Sequence, residues 1–372
     1  MRRIWGIIKK DTVLMIAWIL AVLSCFFVKP SFEYLEYIDY TTLALLFCLM
    51  VIVNGLQNIQ LFQQIAIFFM KKIKTTRQLD LLLVGLCFLL SMLITNDVAL
   101  ITFVPLTIVV LKILRMEERV VHIVVLQTLA ANLGSMCTPI GNPQNLFLYT
   151  YFDMSLSHFM IMILPFVMLS LILLLIHIFM HRNQSIETPK IYQKEDTNIT
   201  YLWIYMILFV LCILSVLHLL NIFYLLPVIM IVCGFMDHKT IVKVDYLLLL
   251  TFVGFFIFIG NLKNIDMIAQ FLNQIVNDYE MIISVICSQV FSNVPTAILL
   301  SGFTKNVYDL LIGVNIGGLG TFIASMASLI SYKYITRIYP QYKKRYFMSF
   351  TKYNIIDLIV LVIAAEIFLL IV

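Results

Sequence analysis

The sequence predicts an all-α polytopic membrane protein built from two inverted-topology repeats, with about nine spans plus two hairpins. Three observations predict it. The chain of 372 residues is 62% hydrophobic and 12% charged, with a mean hydropathy of +1.02, whereas a soluble protein carries about 25% charged residues. Its Lys and Arg residues gather in alternate loops. One order of elements occurs twice: span, span, interfacial helix, hairpin, interrupted span, span. The long apolar runs show no two-residue alternation, so they read as helices and not as a barrel. The seven cysteines are scattered without a C-x-x-C pair and read as small core residues.

The basic N-terminus (Arg2, Arg3, Lys9, Lys10) precedes an apolar run, Thr12–Val28, that has the layout of a secretory signal. Many spans follow, and Leu23 is large where a lipoprotein box wants a small residue, so an uncleaved first span is expected. A second span covers Tyr40–Val53 and leads into Gly55–Met70, whose glutamines among apolar residues suggest an interfacial amphipathic helix. The next apolar stretch, residues 79–111, has cations beyond both ends: Lys71, Lys72, Lys74 and Arg77 before it, Lys112, Arg115 and Arg119 after it. Basic flanks belong on the cytoplasmic side. Two full crossings need roughly 40 residues plus a turn. The stretch is therefore read as a re-entrant hairpin with its tip at Thr95-Asn96-Asp97.

An interrupted span follows over residues 122–151, then a span at about Phe159–Phe179, which closes the first repeat at residue 181. Residues 182–220 hold a cytoplasmic loop and the linking span Leu202–Leu217. The second repeat, 221–372, begins with Ile222–Phe235 and Tyr246–Ile259. It continues with an amphipathic stretch, Asn261–Val276, and a hairpin over 281–303 with its tip at Ser292-Asn293. An interrupted span over 307–330 and a last span complete it. With the N-terminus inside, only Lys29, Lys263 and Lys305 of the 25 cations fall outside, and turning either hairpin into a full span would undo that asymmetry.

The interruptions carry the functional argument. Ala131–Asn145 contains Pro139, Pro143, Gly134, Gly141 and three asparagines. Proline removes a donor and crowds the preceding turn, so a helix does not run unbroken through it. Broken backbone inside a bilayer is tolerated only within protein or beside a water-filled cavity, and is the best sequence pointer to a transporter's binding site. Asn132-Leu-Gly-Ser-Met-Cys-Thr138-Pro-Ile140 aligns with Asn315-Ile-Gly-Gly-Leu-Gly-Thr321-Phe-Ile323. Upstream, Gly55-Leu-Gln-Asn58-Ile59 aligns with Asn261-Leu-Lys-Asn264-Ile265. The hairpin tips fall in the same order between these markers, and inversion brings both tips and both breaks to the midplane. Asp97 is the one carboxylate expected there, a proton carrier or cation ligand by default, although an acidic residue also suits a helix cap. The six histidines lie mostly at span ends, without metal-ligand spacing. Pro105 and Pro165 read as kinks.

Thr95-Asn-Asp-Val-Ala-Leu-Ile-Thr-Phe-Val-Pro105, the Gly134–Asn145 run, Ser288-Gln-Val-Phe-Ser-Asn-Val-Pro-Thr296 and Asn315-Ile-Gly-Gly resemble the citrate-transporter-like permeases. Their superfamily holds arsenite exporters, sodium/proton antiporters and divalent-anion/sodium symporters. The resemblance covers essentially the whole chain and is nearest to small bacterial inner-membrane permeases. It implies that the hairpin tips and the facing breaks hold ion and solute. The chain departs from the symporters at Asp97 and Val294, and its Asn-Asp tip is more like the arsenite and sodium/proton branch.

The candidate coupling-ion set is Thr95, Asn96, Asp97, Asn132, Gly134, Ser135 and Thr138. The candidate substrate set is Pro139, Gly141, Asn142, Pro143, Asn145, Ser292, Asn293, Thr296, Asn315, Gly317, Gly318 and Thr321. The expected function is secondary transport of a small anionic or oxyanionic solute by alternating access. Na+ or H+ is the expected coupling ion, and no other cofactor or metal is expected. A sodium/proton antiporter or an arsenite-type efflux permease is the alternative. An intramembrane enzyme is more remote, since G-x-G-D, H-E-x-x-H and G-x-S-G arrangements are missing, as is a Walker A motif. The expected partners are a small inorganic or organic anion, the lipid bilayer and a second copy of the chain in a homodimer, but no nucleic acid. The expected location is the bacterial inner membrane, with a cytoplasmic N-terminus.

Overall fold

A computed structural model describes residues 12–187, 198–277 and 279–371. The basic residues of the N-terminus and Lys190 and Lys194 lie outside the described residues. The regular structure of the described residues is helical, apart from one isolated bridge, Thr75–Ser185. In order the helices are α1 (Thr12–Ser24), α2 (Tyr40–Asn58), α3 (Leu61–Met70), α4 (Thr76–Ile94), α5 (Asn96–Ile113), α6 (Val120–Ser135) and α7 (Pro143–Tyr151). Then come α8 (Leu156–Phe179), α9 (Ile199–Val216), α10 (Ile222–Val242), α11 (Tyr246–Lys263) and α12 (Asp266–Val276). The last are α13 (Glu280–Phe291), α14 (Asn293–Ser301), α15 (Val307–Ile316), α16 (Met326–Ile338) and α17 (Lys343–Leu369). Seven of the described helices are long and apolar enough to cross a membrane. The protein is a polytopic membrane protein. All seven cysteines are free, and five of them are buried.

Six of the long helices start with a side-chain cap. The oxygens of Asp39, Thr75, Ser155, Asn198, Asn221 and Asp245 accept from backbone N–H groups of the first turns of α2, α4, α8, α9, α10 and α11. Such caps satisfy donors that hydrocarbon would leave unpaired. Pro105 and Pro165 lie inside α5 and α8. α10 contains a break at Asp237, with φ −153° and ψ 81°, where the carboxylate accepts from Asn58 Nδ2 at 2.9 Å.

Both expected hairpins return to where they started. Asp80, one turn into α4, pairs with Arg119, just beyond α5. Glu280, at the start of α13, accepts from the backbone N–H groups of Lys305 and Asn306, both at 3.4 Å. The first hairpin spans 76–113 and not 79–111. Its arms, of 19 and 18 residues, are roughly 28 Å long at 1.5 Å per residue, more than a halfway dip needs. Arg77 and Lys112 sit inside the arms instead of bounding them, because long cationic stems can lie along apolar surface with the charge at the interface. The second hairpin, of 12 and 9 residues, is shorter. Other bounds shift too: α1 stops at Ser24 and not Val28, and α10 runs past Phe235 to Val242. α2 absorbs Gly55–Asn58, α11 absorbs Asn261–Lys263, and the second interrupted helix runs on to Ile338.

α1 packs on α11, with Ala17 against Gly254 and Trp18 Nε1 donating to the Leu250 carbonyl at 3.1 Å. α8 and α17 are tied by a fully buried contact, His177 Nε2 to Asp357 Oδ1 at 2.8 Å. α4 lies along α6 so closely that a Cβ on Gly134 would come within 2.1 Å of the Phe88 carbonyl oxygen and 2.6 Å of Ser91 Oγ. Small residues permit this approach, which stands in for the hydrophobic effect between helices in lipid. Gly134→Ala should therefore lower stability by about 1–3 kcal/mol through overpacking. Gly85→Ala, with open space at its Cβ, should be neutral or stabilising by up to about 1 kcal/mol. Thermal unfolding of both variants in detergent checks this, and equal midpoints would contradict it.

Candidate functional site

The two hairpin tips share one unusual backbone conformation. Thr95 has φ 69° and ψ 150°, and Ser292 has φ 74° and ψ 154°. Non-glycine residues rarely adopt that region, at a cost of about 1–3 kcal/mol each, and such strain clusters at ligand and switch sites. After each tip an asparagine side chain turns back onto the chain. Asn96 Oδ1 accepts from Asp97 N at 2.9 Å, and Asn293 Oδ1 from Val294 N at 3.0 Å.

The breaks are fastened to the hairpins at matching positions. Thr138 Oγ1 donates to the carbonyl of Met92, three residues before the first tip. Thr321 Oγ1 donates to the carbonyl of Gln289, three residues before the second, at 3.0 Å. Both hydroxyls thus hold backbone. The interrupted backbone is satisfied by side-chain amides. Asn145 Nδ2 donates to the carbonyls of Met136 and Thr138, both at 3.2 Å. Gln289 Nε2 donates to those of Gly317 and Leu319, both at 3.0 Å.

Helices resume after the breaks behind Asn142 and Ser325. Asn142 Oδ1 caps α7 by accepting from Asn145 N at 2.9 Å, with Pro143 in the first turn. These two capping positions also join the two breaks. Asn142 Nδ2 donates to Asn315 Oδ1 at 3.2 Å, and Ser325 Oγ donates to Asn132 Oδ1 at 2.9 Å. Asn315 Nδ2 donates to Asn145 Oδ1 at 2.6 Å, and Asn96 Nδ2 to Asn132 Oδ1 at 3.0 Å. Asn142 Nδ2 also lies 3.3 Å from Ser135 Oγ. Gly141 and Gly317 lie where a Cβ would meet the Ser135 carbonyl oxygen or the Ser288 side chain, and Gly318 lies where it would meet Asn293 Nδ2. Thr296 bonds only back to the Ser292 carbonyl.

A cavity of 480 Å³ opens beside the first tip and the first break. Of the candidate residues, Thr95, Asp97, Asn142 and Pro143 line it, together with Ile140, next to Pro139. The second tip does not line it. Ser292 and Val294 border a 20 Å³ crevice that shares Asp245, Leu248 and Met326 with the cavity. Asp97 is in the first turn of α5 and not at its cap, which is Thr95. The sequence reading missed Asn54, Gln57, Lys243, Asp245 and Lys333, which also line the cavity. The lysines had served only as topology markers, and their arrival at one cavity is a tertiary fact. Gln289 and Ser325 were missed as well. Ser325 stands 183 positions after Asn142, the separation of Asn132 and Asn315, so extending the alignment finds it.

Four helix N-termini border this cavity, those of α5, α7, α11 and α16, through Thr95 and Asp97, Asn142 and Pro143, Asp245 and Leu248, and Met326. Such ends carry free N–H groups and partial positive charge, and they favour anions. Asp97, in the first turn of α5, reverses that preference locally and suits a proton or a cation.

The sequence pattern of the citrate transporter family matches residues 3–316. An uncharacterized transporter of Methanocaldococcus jannaschii is 35% identical over 302 residues, which cover 80% of this chain and 82% of that protein. The inner membrane protein YbiR of Escherichia coli is 29% identical over 306 residues, 79% of each chain.

Asn142→Ala removes the cap of α7 and leaves Asn315 Oδ1 without its Asn142 donor. It should cost about 2–4 kcal/mol of stability. Asn142→Ser, which copies the residue at the matching position in the second break, should restore a good part of that. Thermal unfolding in detergent decides it, and an unchanged midpoint for the alanine variant would refute the assignment.

Proposed function

The chain belongs to the citrate transporter family and is a multi-pass membrane transporter, and from that premise we propose secondary active transport of a small anion by alternating access. The observation that carries this reading is the convergence of the N-termini of α7 and α16 on the 480 Å³ cavity that Asp97 also lines. The half-helix ends offer N–H groups to the anion's charged group, in the manner of discontinuous helices in other carriers. Asp97 takes the coupling H+ or Na+, with Thr95 and Asn96 beside it. Anion and cation thereby enter one cavity as a pair of lower net charge, which reduces the electrostatic cost of crossing the bilayer.

We place the two halves in inverted orientation, residues 1–181 and 221–372. The matched tips, threonine clamps and capping residues support it. The positive-inside distribution puts Lys243 and Lys333 on the cytoplasmic side, so the cavity mouth faces inward in this conformation. An inner-membrane location accords with the printed name of the Escherichia coli relative.

A second reading makes the cation itself the cargo, as in a sodium/proton antiporter. What favours it is that Asp97's carboxylate faces the cavity while Val294 stands at the corresponding place after the second tip.

Asp97→Asn should abolish dependence of solute flux on the proton or sodium gradient in proteoliposomes, with thermal stability unchanged. Retained coupling would refute the role of Asp97, and cation exchange without any anion would favour the second reading. Asn293→Ala should weaken solute affinity more than it alters coupling, and the reverse order would exchange the two half-sites.

A further inference from the structure

The cavity has a character that a site for a small hydrated ion would not need. α2 turns one face to it, with Leu46, Leu49 and Val53 at helical spacing and then Asn54 and Gln57 nearer the helix end. α16 does the same with Met326, Leu329 and Ile330, followed by Lys333. Hairpin residues Leu93 and Ile101 close the sleeve, and they remain 43% and 40% exposed, Met326 37%. The polar lining residues are Thr95, Asp97 and Asn142 at the first tip and break, Asn54 and Gln57 in the last turns of α2, Lys243 and Asp245 between α10 and α11, and Lys333 in α16.

We propose, building on the transport reading above, that the solute is an organic monoanion with an unbranched hydrocarbon body of several carbons. Its charged head sits at the half-helix N-termini, and its tail runs along the sleeve formed by α2, α16 and the first hairpin. An inorganic oxyanion or a polycarboxylate would lose water along walls that offer few donors in return. The charge balance points the same way. Lys243 and Lys333 offset Asp97 and Asp245, so loading Asp97 with its cation or proton leaves one net positive charge in the lining. That matches one carboxylate and not three. The 480 Å³ volume lies within the ordinary range for small-molecule sites, about 300–1,000 Å³.

The test is isothermal titration of the purified full chain in detergent, at a pH where all ligands are ionised. The ligands are acetate, butyrate and hexanoate, a matching alkanesulfonate series, sulfate and citrate, with empty micelles as blank. Affinity should rise about fourfold per methylene, the equivalent of about 0.8 kcal/mol, or about two-hundredfold from acetate to hexanoate. Sulfate and citrate should bind more weakly than hexanoate. Leu49→Asn and Leu329→Asn should each reduce the acetate-to-hexanoate gain by about fivefold or more. The near-isosteric Val53→Thr, which is expected to fold, should reduce it by about two- to threefold. A flat series, a preference for citrate or sulfate, or a slope that survives all three substitutions would overturn the sleeve while leaving the transport reading in place. Failure of every anion to bind would remove the transport reading beneath it.

Discussion

Everything near the centre of this molecule follows from one constraint: a peptide group in a bilayer needs a hydrogen-bond partner, and interrupted helices leave several without one. The chain interrupts α6–α7 and α15–α16 and then supplies the missing partners from side chains. Asn145 and Gln289 donate to freed carbonyls, Asn142 accepts from a freed N–H, and Thr138 and Thr321 fasten each break to the hairpin beside it. The result is a rigid polar knot inside an apolar bundle. Only part of that polarity is left over for a ligand. Many asparagines and threonines that look like ligand donors in the sequence hold backbone instead.

How much was legible follows from where the physics is local. Long apolar runs and proline positions fix helices and breaks with little tertiary help, so helix pairs and interruptions lie along the stretches expected for them, although the arms of the first pair are of span length. Helix ends were misplaced where a lysine or arginine was taken as a boundary, as at Arg77 and Lys112, because those side chains extend along the helix and do not stop it. The tip residues Thr95 and Asp97 and the break residues Asn142 and Pro143 were read as site residues and line the cavity. Its far rim of Lys243, Asp245 and Lys333 was not, since α11 and α16 meet the first hairpin only in the folded chain. The cluster of buried His122, His177 and Asp357 with half-buried Tyr353 and exposed His181 was hidden for the same reason. The His122 and His181 rings lie with centroids 3.6 Å apart, tilted by 37°, yet the two residues are far apart in sequence, and spacing gave no hint of it.

The arrangement separates two tasks. The scaffold contacts, such as His177 with Asp357 and Trp18 with the Leu250 carbonyl, are made by residues that do not line the cavity. The tips and breaks carry the strained backbone and the short helices, whose packing leaves room for a cavity. A carrier needs this division, because a moving part has to shift against something that stays put. Asp245, Leu248 and Met326 are notable in it, since these three residues border both the cavity and the crevice under the second tip.

The bonds Asn142–Asn315 and Ser325–Asn132 each join a residue of one interruption to a residue of the other. Neither half therefore completes its own centre. On the inverted-repeat arrangement proposed above, a duplicated ancestor with identical halves would have met its own copy at both places, and divergence of one partner afterwards would constrain the other. The pairs 142/315 and 132/325 should accordingly drift together across descendants, and a lesion at one member should find its suppressor in the other interruption instead of in the neighbouring sequence.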